Sequence, residues 1–148
     1  MSNDLSDNYK LALEVSIKFC GYRERSVKEV ENKLIDKRFS RDVIRLTLKK
    51  IKDLGFVDNL RFSKSFSRGK NNNNRWGKNK IRYELIAKGL NDNEIQEGIR
   101  SIDERTYKTT LNKNIELFKK KNKQFDKNKL INHLINKGFE IELILGSI

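Results

Sequence analysis

Apolar residues recur along this chain at helical spacing, in narrow stripes separated by lysine, asparagine and glutamate, and the stripes themselves repeat. The segment EVENKLIDKRFS from Glu29 lies over KIRYELIAKGLN from Lys80, and both lie over KLINHLINKGFE from Lys129. Glu29 to Lys80 is a step of 51 residues and Lys80 to Lys129 a step of 49. Leu34, Leu85 and Leu134 share a column, as do Ile35, Ile86 and Ile135, then Lys37, Lys88 and Lys137, then Ile44, Ile95 and Ile144. The same steps carry Leu11 and Val15 onto Phe62 and Phe66, and then onto Leu111 and Ile115. One helical unit is tripled, and its activity is expected to belong to an extended array rather than to one pocket.

Each unit reads as three helices. In the first, Leu11, Val15, Ile17 and Phe19 lie on a helix that runs out near Gly21, and Ser26 with Glu29 forms a capping box opening the second. That second helix buries Val30 and Leu34, with Ile35 a further candidate, and ends at Lys37. Arg38 stands where the other units carry Gly89 and Gly138, so it is expected to be mildly strained in a left-handed cap. Phe39, Leu90 and Phe139 follow as the apolar partners of that cap. Ser40 and Asn91 cap the third helices, whose core faces are Val43, Ile44, Leu48 and Ile51 in one unit and Ile95, Ile99 and Ile102 in the next. Asp58 caps the helix that carries Phe62 and Phe66. The expected fold is all-α: three tandem three-helix repeats of about 50 residues in an elongated, curved array. The boundaries are 1–57, 58–104 and 105–148, with the last helix of the third repeat cut short near Ile148.

Composition agrees with helices. There is no proline, and 36% apolar against 36% charged residues suits narrow buried stripes better than one thick core. No apolar run approaches the roughly 20 residues of a membrane span, and Met1-Ser2-Asn3-Asp4 lacks the features of a signal peptide, so a cytoplasmic protein is expected. The single cysteine, Cys20, excludes a disulfide framework and reads as a core or half-buried thiol.

Charge changes the picture most. Net charge is +13, which makes an anionic partner the first consideration. No acid occurs from Arg61 to Tyr83, where Arg61, Lys64, Arg68, Lys70, Arg75, Lys78, Lys80 and Arg82 are all basic. A second acid-free stretch, from Leu117 to Phe125, holds Lys119, Lys120, Lys121 and Lys123, and Lys119 aligns with Lys70. These twelve residues are the candidate basic stripe, able to meet phosphates without reading sequence. The alternative is a solvated surface with no partner. Trp76, inside the first stretch, has two uses open to it: stacking on an unpaired base, or stapling the start of the following helix.

The order and spacing of several segments resemble one family. DNLRFSKSF from Asp58, WGKNKIRYELIAKGL from Trp76 and the Arg25-Ser26 opening of the first motif are similar to the bacterial RecX regulators over almost the whole chain. Departures are local: Lys78 replaces a frequent proline, Arg38 a usual glycine, and Asn71–Asn74 is an unusual run. The resemblance implies a non-enzymatic regulator without catalytic residues, cofactor or metal. Such a protein lies in the groove of the RecA nucleoprotein filament and modulates its ATPase, strand exchange and coprotease activities, in recombination, DNA repair and the SOS response. A monomer is the default.

The residues offer little for other chemistry. His133, the single histidine, aligns with Glu84 and Lys33, a column read as solvent-facing and charged. Glu29/Glu31, Glu94/Glu97 and Asp103/Glu104 sit on separate helices among lysines, as surface ion pairs do. No phosphate-binding glycine loop, nucleophile elbow or zinc-ligand spacing is present. Two other classes stay open beside the filament regulator. One is a sequence-independent binder of single-stranded or double-stranded DNA, in which groove insertion by the acidic third helix with Asp92, Glu94 and Glu97 is not expected. The other is a helical scaffold for some other acidic protein.

Overall fold

A computed structural model describes residues 3–148. The elements are α1 (Asn3–Tyr22), α2 (Val27–Asp36), α3 (Arg41–Asp53), α4 (Asn59–Asn73), α5 (Lys78–Ala87), α6 (Asp92–Arg100), α7 (Glu104–Lys121), α8 (Lys127–Asn136) and α9 (Ile141–Leu145). The order long, short, short recurs three times, and no strand occurs among the described residues. The chain forms two compact units. One comprises everything described up to Phe62 together with Lys88–Leu90, and the other Ser63–Ala87 with Asn91–Ile148.

The capping chemistry sets the helix boundaries. Ser26 accepts from the Glu29 N–H while the Glu29 carboxylate accepts from the Ser26 N–H, which satisfies two donors that the start of α2 would otherwise orphan. Asn91 and Glu94 do the same for α6, and Ser40, Asp58 and Asp103 accept the cap bonds of α3, α4 and α7. At the end of α2 the Phe39 N–H reaches back to the Leu34 carbonyl at 3.2 Å and the Arg38 N–H to Ile35 at 2.9 Å; the end of α8 repeats both bonds with Phe139 and Gly138. The positive φ this motif needs falls on Arg38 (66°), Gly89 (85°) and Gly138 (100°). Arg38→Gly removes the Cβ penalty and should raise stability by about 1 kcal/mol in urea unfolding.

In the first unit α1, α2 and α3 pack pairwise around Ala12, Val30, Leu34, Val43, Ile44, Leu48, Ile51 and Val57. The face of α1 differs from expectation. Leu11 is 50% exposed and Ile17 points outward, while Ala12 and Ser16 are wholly buried. Small side chains at 12 and 16 let the backbone of α1 lie close to α3, a better use of the interface than the bulkier neighbours. Ile35, Ile86 and Ile135 are likewise exposed, whereas the adjacent Leu34, Leu85 and Leu134 have no exposed surface at all. In the second unit α5 packs on α6, and α8 on both α7 and α9, burying Ile81, Leu85, Ile99, Leu111, Leu130 and Ile144.

A similar joint occurs once in each unit, where the turn that follows one middle helix meets the start of an earlier one. In the first unit the Cα of Gly89 faces Lys28, and a Cβ built there would lie 2.8 Å from the Lys28 Cβ. Lys88 Nζ pairs with Glu29 at 3.2 Å beside it. Burial works to raise the Glu29 carboxyl, but hydrogen bonds from Arg23 and the Ser26 N–H, with the charges of Arg23 and Lys88, outweigh it and hold Glu29 below its ordinary range. In the second unit the Gly77 N–H donates to the Lys137 carbonyl at 2.7 Å and the Asn79 N–H to Gly138 at 2.9 Å. A side chain of the following first helix also caps two of the three middle helices, α2 and α5: Asn59 Oδ1 accepts from the Val27 N–H, and Tyr107 Oη from the Lys78 N–H, both at 2.9 Å. Tyr107 in turn donates to the Glu140 carboxylate, so burial and that carboxylate together push its hydroxyl far above the ordinary range.

A candidate basic interface

The structure divides the twelve basic candidates by what each is already doing. Arg61, in the first unit, is committed: Nε lies 2.9 Å from the Glu24 carboxylate and Nη2 donates to the Gly55 carbonyl at 3.0 Å. Lys78 is committed as well, with Nζ 2.9 Å from Glu104 and 4.4 Å from the centre of the Tyr107 ring, and its side chain is only 16% exposed. Neither belongs on an open stripe. Lys64, Lys70, Arg75 and Lys80 are half-buried, whereas Arg68, Arg82, Lys119, Lys120, Lys121 and Lys123 are exposed. Arg82 has a neutral neighbour, donating to Asn79 Oδ1 at 3.2 Å. Lys119, Lys120 and Lys121 occupy the last turn of α7, where the helix dipole favours positive charge.

Trp76 gathers the half-buried lysines. Lys70 Nζ lies 5.0 Å and Lys80 Nζ 4.5 Å from its ring, which itself stands edge-on to Phe66 at 6.4 Å. The same two repeat positions make a cation–π pair in all three repeats. Arg25 sits over Phe19 at 3.7 Å, Lys70 over Trp76, and Lys119 over Phe125 at 5.5 Å. Steps of 51 and 49 carry position 19 onto 70 and 119, and position 25 onto 76 and 125, with cation and aromatic exchanged in the first repeat. A pair that survives exchange of its partners is a clamp on the turn between first and middle helices. This geometry favours the stapling use of Trp76.

His133 does not stand in solvent. Its half-buried ring lies 4.9 Å from Phe118, and burial, with the charges of Lys137 and Lys121, pushes its pKa down. The repeat column misled because Phe118, on α7, covers this position. Around it the structure assembles Arg75, Lys121, His133 and Lys137 at the edge of one cavity of about 340 Å³. Lys137 was visible in the sequence only as a repeat-column lysine; its Nζ donates to the Asn74 carbonyl at 2.9 Å. Glu29 is also no ordinary surface acid, being 12% exposed between Arg23 and Lys88. Cys20 is half-buried, and burial raises its thiol pKa. Among the described residues no cluster of His, Cys, Asp and Glu could hold a metal ion, and no helix is long and apolar enough to cross a membrane.

Comparison with known proteins decides the family. The family model described as RecX, first three-helix domain, matches residues 12–50, and that of the second three-helix domain matches residues 58–99. A regulatory protein RecX from Prosthecochloris aestuarii is 32% identical over 139 residues, covering 94% of this chain and 91% of its own. The chain belongs to the RecX family. Another RecX, from Chlorobium phaeobacteroides, is 31% identical over 131 residues, or 88% of this chain and 87% of its own. The crystal structure of RecX from Lactobacillus salivarius has the same fold, with a TM-score of 0.84 over 96% of this chain and 95% of that one at 22% identity. A regulatory role and three-helix repeats therefore come with membership of the RecX family.

Proposed function

We propose that this chain binds the RecA nucleoprotein filament and modulates its ATPase, strand exchange and coprotease activities without catalysing a reaction of its own. The observation that carries the reading is the set of exposed cations, Arg68, Arg82, Lys120 and Lys123, that make no ion pair among the described residues and lie in the second and third repeats of the chain. Such groups steer a protein toward an anionic assembly, whether the charge is on DNA or on acidic protein surface. The working parts are the three repeats 1–57, 58–104 and 105–148, acting as a monomer in the cytoplasm, in recombination, DNA repair and the SOS response. Several repeats in one chain can touch more than one filament subunit, so inhibition would come from clamping subunits against rearrangement.

Affinity for preformed filaments on single-stranded DNA, compared with affinity for free RecA, tests the reading. At least tenfold tighter filament binding is expected from contacts to several subunits. Equal affinity for free RecA would remove the clamp. Tight binding to bare DNA that RecA does not enhance, with a steep salt slope, would instead make the chain a plain DNA-binding protein.

A further inference from the structure

The cavity around His133 has properties that the basic run alone does not explain. It opens between α7 and α8, and its lining includes Arg75, Asn114, Phe118, Lys121, His133 and Lys137. No carboxylate lines it, and among the described residues none of its four basic groups forms an ion pair. The Arg75 backbone, the Lys137 ammonium and the His133 ring are held in place, while Lys121 is exposed. The Arg75 carbonyl accepts from Asn114 Nδ2 at 3.0 Å, with the Arg75 backbone in the left-handed region at φ 55°; Lys137 is tied to the Asn74 carbonyl; the imidazole lies against Phe118. Arg75 Nε is buried with no acceptor. Burial lowers the pKa of Lys137, as do the charges of Arg75 and Lys80, so the site already strains against its own positive charge.

The equivalent groove in the first unit shows that the fold does not dictate this arrangement. It is lined by Lys18, Lys33 and Lys37 over Phe19 and Tyr22; the two repeat steps together carry Lys18, Lys33 and Lys37 onto Phe118, His133 and Lys137, and no arginine or histidine lines it. Only the later groove adds a guanidinium and an imidazole to the lysines. Cationic donors gathered at one cavity with no counter-charge suit a tetrahedral oxyanion, which a guanidinium can meet with two parallel hydrogen bonds.

We infer that Arg75, Lys121, His133 and Lys137 form a seat for one phosphate group, supplied by a nucleic-acid backbone or by a free phosphate compound. The inference deepens the filament reading, and rests on it, only where the phosphate belongs to filament DNA. An anion in the seat favours protonated His133, which faces Lys121 on α7, Lys137 at the end of α8, and Arg75. Between the lower pKa of the empty seat and the higher pKa of the filled one, affinity therefore rises as pH falls.

His133 is the single histidine, so its ring resonances report the seat without ambiguity. The full chain is titrated with inorganic phosphate and, separately, with oligothymidylate. Either ligand should raise the His133 pKa by about one unit, and Lys121→Gln and Arg75→Gln should each weaken binding about tenfold. Lys121 is exposed, so its variant keeps the wild-type unfolding temperature even if Arg75→Gln does not. Saturation by the oligonucleotide at concentrations where phosphate has no effect assigns the backbone as source; equal potency of phosphate assigns the free anion. An unmoved His133 with both ligands, or wild-type affinity in Lys121→Gln, overturns the seat. RecA inhibition by Lys121→Gln separates the two readings: full inhibition with the phosphate response lost leaves the filament reading standing, and a phosphate response in a wild-type chain that never inhibits RecA leaves the seat standing alone.

Discussion

Gly77→Ala should lower the unfolding free energy by about 3 kcal/mol, measured in urea. Gly77 is buried at the joint where the end of α8 meets the start of α5. A Cβ there would fall inside the backbone of Gly138 and Phe139, which cannot swing aside as a side chain can. Making room must stretch the 2.7 Å bond from Gly77 to Lys137 and the 2.9 Å bond from Asn79 to Gly138, leaving buried polar groups short of partners. Gly138 cannot relieve the clash by turning, because its φ of 100° is itself required by the cap. Gly69→Ala is the matched control. Gly69 lies in α4 with open space where a Cβ would stand, so the same substitution should be neutral or stabilising by about 0.5–1 kcal/mol. Equal losses at both glycines would contradict the joint.

Reversing Arg68, Arg82, Lys120 and Lys123 to glutamate should weaken filament binding on the order of 100-fold while leaving the far-ultraviolet helical signal unchanged. Each exposed charge pair with a partner is worth roughly 0.2–1 kcal/mol, and reversal replaces attraction by repulsion, so four such changes approach the ~2.8 kcal/mol that a 100-fold loss requires. The structure dictates the choice of residues. Lys78 is left out because a glutamate there would face Glu104, and its loss would confound stability with binding. Arg61 is left out because it holds Glu24 and the Gly55 carbonyl. Undiminished inhibition by the quadruple variant would place the interface elsewhere on the chain.

The parts of the fold legible in the sequence are those governed by neighbouring residues. A capping box needs only Ser26 and Glu29, and the left-handed cap is visible because Gly89 and Gly138 align with Arg38, whose φ of 66° shows the same backbone. The column of Leu34, Leu85 and Leu134 is buried throughout because it is the central residue of each middle helix's apolar stripe. The buried face of α1 was not legible, since Leu11, Ala12, Val15, Ser16 and Ile17 put small and apolar residues on several faces at once. Packing on α3 selected Ala12 and Ser16.

The candidate interface was legible as a charge run but not as a set of free charges. Arg61 and Lys78 are spent on Glu24 and Glu104, acids that lie outside the acid-free stretch and come near only on folding. The cation–π clamp could have been found by laying positions 19 and 25 over 70 and 76, had exchange of cation and aromatic been allowed. The grouping of Arg75 with Lys121, His133 and Lys137 needs contact between α7 and α8, which no local pattern encodes.

RecA ATP hydrolysis on single-stranded DNA, with filaments preformed, DNA in excess and this chain titrated at near-physiological salt, tests the central claim most directly. A filament-directed regulator inhibits well below one chain per RecA, because one bound chain restrains several subunits. Unchanged hydrolysis up to equimolar chain, with the filaments intact, would contradict the account.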